Sequence, residues 1–75
     1  MAELVRYVAR SLVEKPDAVD VREVETADSV VIELRVDADD MGKVIGKQGR
    51  IAKAIRAVVK AASLKTGQNV LVEIV

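Results

Sequence analysis

Near the start of the chain, apolar residues recur at helical spacing: Leu4, Val5, Val8, Ala9 and Leu12 share one stripe, while Glu3, Arg6, Arg10 and Glu14 fall mostly elsewhere. The pattern predicts a helix over residues 2–14. Pro16 ends it, because a proline pushes the residue before it out of the α region. The rhythm then changes to two. Val19 and Val21 alternate in a strand over residues 18–25, and Val24 breaks the period as a bulge would. After the short Thr26-Ala27-Asp28 connection, Val30, Ile32, Leu34 and Val36 point one way and Val31, Glu33 and Arg35 the other. That alternation predicts a strand over residues 29–36 and, with so short a link, an antiparallel hairpin. Asp37, Asp39 and Asp40 offer N-caps to a short helix over about residues 40–45 that closes at Gly46. A longer helix runs from about Arg50 to Leu64, with Ile51, Ile55, Val58, Val59 and Ala62 as its core face and Gly67 as its stop. Val70, Val72 and Ile74 alternate with Glu73 in a last strand over residues 69–75.

The order is α-β-β-α-α-β, without repeats or linkers. The second and third strands are joined through two helices, so as neighbours they run parallel with a right-handed crossover. The fold class that follows is α+β: a three-stranded mixed sheet with three helices on one face, as a single domain over residues 1–75. A domain this short buries only about 60–65% of its unfolded surface. Half of its residues are hydrophobic, but Tyr7 is the one aromatic and there is no cysteine. Aliphatic packing must therefore stabilise it without disulfide or thiolate metal site.

Charge adds a second layer. The chain is neutral overall, with 12 basic and 12 acidic residues. Residues 40–67, however, carry Lys43, Lys47, Arg50, Lys53, Arg56, Lys60 and Lys65 against the single acid Asp40, and ten of the acids lie in residues 1–39. Such asymmetry within one small domain points to a face that binds a polyanion. No stretch approaches the roughly 18–20 apolar residues of a membrane span, and the charged start lacks the apolar run of a signal peptide. A cytoplasmic location is the expectation.

The most informative stretch is Val44-Ile45-Gly46-Lys47-Gln48-Gly49-Arg50-Ile51. Two glycines three apart, between two helical patterns, allow a tight turn that another backbone can approach. The bare amides that open the following helix are electropositive, and Lys47 and Arg50 add full charge there. Lys43 and Lys53 stand one turn to either side. Gly42-x-x-x-Gly46-Lys47 is one residue short of a P-loop and is followed by Gln48 rather than Ser or Thr, which excludes that nucleotide site.

This stretch resembles the signature of the KH domain, whose GXXG loop clamps a nucleic-acid backbone. The helix-first order resembles the type II, bacterial form of that fold. Over essentially all its residues the chain resembles the KhpA-like family of small bacterial single-KH proteins. The resemblance implies a single-stranded RNA-binding protein, an RNA chaperone or post-transcriptional regulator. It implies action as a homodimer or with a larger KH partner of the KhpB (Jag, EloR) type, and influence on cell shape and cell-wall growth. Carried over by position, Gly46, Lys47, Gln48 and Gly49 are the clamp, joined by Arg50, Lys43 and Lys53; Val44 and Ile45 form the helical wall, supported by Ile51 and Ile55. The opposite wall is expected from the central strand, Val30 to Val36.

The near-absence of aromatics agrees with a KH groove, which holds bases against aliphatic side chains, and disfavours folds that stack bases on exposed rings. Lys53, Arg56 and Lys60 share one helix face; Lys53, nearest the loop, is the one expected to meet RNA. Ala54, Ala57, Ala61 and Leu64 form a small-residue stripe that fits either packing on the first helix or a dimer contact. With no histidine or cysteine, and serines lacking a base partner, no catalytic site, metal, cofactor or small-molecule substrate is expected. The rival reading is a protein-interaction adaptor in which the same fold mainly mediates dimerisation.

Overall fold

A three-stranded sheet in the order β1-β2-β3 frames the molecule in the computed structural model, which describes residues 1–75. β1 (Asp20–Glu25) runs antiparallel to β2 (Val30–Arg35), and β3 (Val70–Ile74) runs parallel to β2 on its other side. Helix α1 (Ala2–Leu12) packs on β1 and β2. Helix α3 (Arg50–Thr66) packs on β3, and the short α2 (Met41–Ile45) leans on both helices. This is the expected α-β-β-α-α-β order and the expected mixed sheet.

The period-2 pattern of the central strand decides the layering. Val30, Ile32, Leu34 and Val36 face the helices and are buried, Ile32 and Leu34 completely. Val5 and Ala9 of α1, Val44 of α2, Ile55 and Val59 of α3, and Val70 and Val72 of β3 close over them. No aromatic side chain enters this cluster.

Several details depart from expectation. α1 stops at Leu12, and Val13 is already extended (φ −98°, ψ 160°). Pro16, with its preset φ, opens a separate 3₁₀ turn over Pro16–Ala18 instead of merely following the helix. β1 has no bulge: its pairing is continuous from Asp20↔Arg35 to Glu25↔Val30, and Val24 sits opposite Val31 on the outer face of the sheet. The buried line of α3 is Ala52, Ile55, Val59 and Ser63; Val58 lies half-exposed to one side of it.

Asp40 also departs from its expected role as a cap. Its carboxylate is buried and makes no capping bond. It reaches back to the end of α1 instead. Oδ1 accepts the Glu14 N–H at 3.2 Å and Oδ2 accepts the Lys15 N–H at 3.0 Å. The chain has left the helix there, so those amides need an acceptor, and leaving buried amides unpaired is costly. One side chain thereby ties the entry of α2 to the exit of α1. Alongside, Asp37 accepts the Asp39 N–H at 2.9 Å and caps the 3₁₀ turn over Ala38–Asp40. Lys15 Nζ lies 3.1 Å from Asp39 and 3.5 Å from Asp37.

The Asp39 amide, helped by the charge of Lys15, holds the Asp37 carboxyl below its ordinary 3.8. A depressed folded pKa means that Asp37 stabilises the fold fully above that ordinary value, and that this contribution is lost as pH falls through the lower folded value. Thermal melts of wild type and Asp37→Asn from neutral pH down to about pH 2 should therefore show the variant less stable at neutral pH and the gap closing in acid. A gap of the same size at every pH would exclude the carboxylate charge as its source.

Candidate nucleic-acid interface

Gly46 ends α2 with φ 75° and ψ 173°, a conformation essentially reserved for glycine. Space demands glycine as well, since a Cβ there would lie 2.6 Å from Cγ1 of Ile51. Lys47–Gly49 then form one 3₁₀ turn, in which Gln48 is left-handed (φ 58°, ψ 25°). Gly49 is left-handed too (φ 74°, ψ 16°), but nothing lies within 4 Å of where its Cβ would be. The two glycines are therefore required for different reasons. Gly46 lets Ile51 pack against the turn; Gly49 supplies the turn and leaves open space beside the backbone. The Gly46 N–H donates to Gly42 O at 2.8 Å and the Gly49 N–H to Gly46 O at 3.1 Å, which fixes the loop.

No side chain caps the start of α3. Its leading N–H groups, at the positive end of a 17-residue helix, face the loop without a side-chain acceptor. Lys47 and Gln48 are exposed, and so is Arg50 at the first helical position. Every ion pair in the molecule involves Arg6, Lys15 or Lys43. Lys47, Arg50, Lys53, Arg56, Lys60 and Lys65 have no carboxylate within 4.0 Å. The positive charge of this region is thus free to act on a ligand.

The structure brings Gly46, Lys47, Gln48, Gly49 and Arg50 into one loop, with Ile45 partly exposed beside it and Lys53 exposed on the next helical turn. Two of the expected residues are placed otherwise. Val44 is completely buried in the core, because α2 turns that side inward, and it supports the loop from below. Lys43 points back to α1: its Nζ is 2.8 Å from Glu14 Oε1 and 3.9 Å from Asp40 Oδ1, where it balances the buried carboxylate. The expected strand wall shifts as well. The inward residues of β2 are buried beneath the helices, and the strand beside α3 is the edge strand β3. There Arg56 Nε donates to Val72 O at 3.3 Å. Periodicity placed Arg56 on the same helix face as Lys53. Only the packing of α3 on β3 puts it at a strand edge.

The KH-domain family described as KhpA/KhpB matches residues 2–74. The chain belongs to the KhpA/KhpB family of KH domains. Among relatives of this family, the RNA-binding protein KhpA of Clostridium perfringens is 60% identical over 75 residues, all of both chains. The RNA-binding protein KhpA of Caldanaerobacter subterraneus is 59% identical over the same span. That of Aquifex aeolicus is 49% identical over 74 residues, covering 99% of this chain and 94% of its own. No solved structure matches the chain.

The unequal glycine roles can be separated by denaturation. Gly49→Ala should cost about 1–2 kcal/mol, the penalty of a left-handed non-glycine residue. Gly46→Ala should cost more, because it adds a clash with Ile51 to the backbone strain. Removing the γ and δ carbons that form most of the obstacle, in Gly46→Ala/Ile51→Ala, should recover part of the Gly46→Ala loss relative to Ile51→Ala alone. The same second change should do nothing for Gly49→Ala. Equal costs for the two glycines would refute the distinction.

Proposed function

We propose that this chain binds single-stranded RNA, with the Gly46–Gly49 turn clamping the phosphate backbone. The observation that carries the reading is the uncapped, glycine-opened start of α3, set among cations without acidic partners. Backbone amides, Lys47 and Arg50 supply donors and charge for phosphates. Open space at Gly49 admits the strand, and the groove of such a domain takes about four nucleotides. The relatives' name, RNA-binding protein KhpA, supports the same reading. In this reading the protein works in the cytoplasm, needs no cofactor and catalyses nothing. It acts as an RNA chaperone or post-transcriptional regulator, with cell shape and cell-wall growth as the processes it serves.

Binding of a short fluorescent single-stranded RNA across a salt series tests this. Affinity should fall with salt, with a log–log slope of about −0.7 per phosphate neutralised. Lys47→Asp/Gln48→Asp should lose binding while its thermal melt stays close to wild type, since both side chains are exposed. Equal binding by the variant would remove the RNA from this loop.

A second reading has its own observation, the apolar surface that α3 leaves uncovered. Ala54, Ala57 and Ala61 are exposed, Leu64 is 76% exposed and Val58 is 50% exposed. α1 does not cover this stripe; between the two helices runs an apolar groove of about 280 Å³ lined by Leu4, Val8, Ile51, Ala54 and Val58 among others. This surface suits a second copy of the chain or a larger KH partner of the KhpB type, and the family's joint name favours such a pairing. An adaptor function would use it alone. Sedimentation should find wild type dimeric at micromolar concentration and Ala57→Glu monomeric, with little change in fold because Ala57 is exposed. A monomeric wild type, or a variant that still dimerises, would reject this surface.

A further inference from the structure

The free edge of β3 presents an ordered row of polar groups beside α3. The Val30 N–H donates to Asn69 O at 2.8 Å, and the Val75 N–H donates to Leu34 O at 2.9 Å. Alternate residues of a strand bond to the same neighbour, so residues 69, 71, 73 and 75 turn to β2. Val70, Val72 and Ile74 turn their N–H and C=O groups to the open edge. Arg56 crosses from α3 to this edge, where its Nε donates to Val72 O at 3.3 Å. The bond pins the guanidinium. Both Nη groups remain without a protein acceptor or a carboxylate partner, as an end-on fork beside the strand. Such a fork is planar and suited to two adjacent acceptors.

We propose that Arg56 reads one base of the bound strand, accepting only an edge with two adjacent acceptors, an assignment that rests on the RNA-binding reading above. Arg56 lies seven residues beyond Gly49 in the chain, which is ~10 Å along the helix and within a groove of about four nucleotides. Phosphates held at the loop position the strand, and the bases are what reach across to β3. Guanine offers O6 and N7 side by side, and cytosine offers O2 and N3. Adenine sets its amino donor beside N1 and N7 and leaves N3 a lone acceptor, and uracil separates its two carbonyls by N3–H. The base selected is therefore guanine or cytosine over adenine or uracil. The edge remains open toward the start of β3, where Lys60, Leu64, Gln68, Asn69 and Leu71 line a concavity of about 370 Å³.

The test is fluorescence anisotropy with short oligouridines carrying a single G, C or A at each position in turn, against wild type, Arg56→Gln and Arg56→Lys, each checked by a thermal melt. Wild type should show one position at which G or C strengthens binding by ~5- to 100-fold over U or A. Arg56→Lys keeps the charge without the fork, so its discrimination among bases, read as a ratio to its own oligouridine affinity, separates the fork from the charge. Both variants should lose the preference to within about twofold. If the selected base is guanine, 7-deazaguanosine, which lacks N7, should lose the gain with wild type and change nothing with Arg56→Gln. A preference that survives in Arg56→Gln, or oligouridine binding with no preference in wild type, overturns the assignment. So does an affinity loss in Arg56→Gln that is uniform across bases, which would put the guanidinium on a phosphate. If wild type binds none of the oligonucleotides, the RNA-binding reading itself falls and takes this assignment with it.

Discussion

Burial of one face of β2 is the constraint from which the other arrangements follow. Ile32 and Leu34 have no contact with solvent, and in a domain of this size such burial is the main favourable term available. To exclude water from both, a helix must lie over β2 and a strand must flank it on each side. The chain meets that demand with aliphatic side chains alone. α1 and α3 cover the sheet, and neither helix could bury its stripe without it. The loop between α2 and α3 inherits its position from this packing, because Val44 and Ile55 belong to the same core on either side of it.

Charge is divided by task. In the acidic first part of the chain, Asp37, Asp39, Asp40 and Glu14 are used on neighbours: they accept backbone amides or pair with Lys15 and Lys43. Asp40 is the clearest case, a buried carboxylate whose two oxygens satisfy the amides that follow α1. The cations of the loop and of α3 have no such partners. A neutral protein thereby presents a strongly positive surface, and long-range attraction of a polyanion survives the overall balance. Lys43 shows the limit of counting charges, since it serves the fold and not the positive face.

The turn joins two requirements in four residues. Its first glycine answers both packing and backbone conformation and its last conformation alone, with Gln48 between them in a left-handed conformation. Strain of this kind persists only where surrounding contacts enforce it, and it tends to mark functional sites. Here Ile51 enforces it from the core side while the outer side stays open. Beyond the turn, α3 leads toward Arg56 and the edge of β3, so a strand held at the loop would run along a wall that is helix on one side and strand edge on the other.

Much of this was determined by the sequence alone. Spacings of two and of 3.6 fixed the elements and their order. The short hairpin link and the two-helix connection fixed one antiparallel and one parallel pairing, and the glycine spacing with its flanking charges located the turn. These features are local, so they can be read residue by residue. Tertiary structure decided the rest. Whether Val44 faces a ligand or the core, whether Lys43 is free or paired, and whether Asp40 caps its own helix or the end of another all depend on residues distant in the chain. The same holds for Val58, which periodicity places on the core face but packing leaves beside it, because the helix turns toward the sheet about the line of Ala52, Ile55 and Val59. Arg56 is the fullest example: its charge is visible in the sequence, but its place at the β3 edge exists only because β3 pairs with β2 and leaves its other side open.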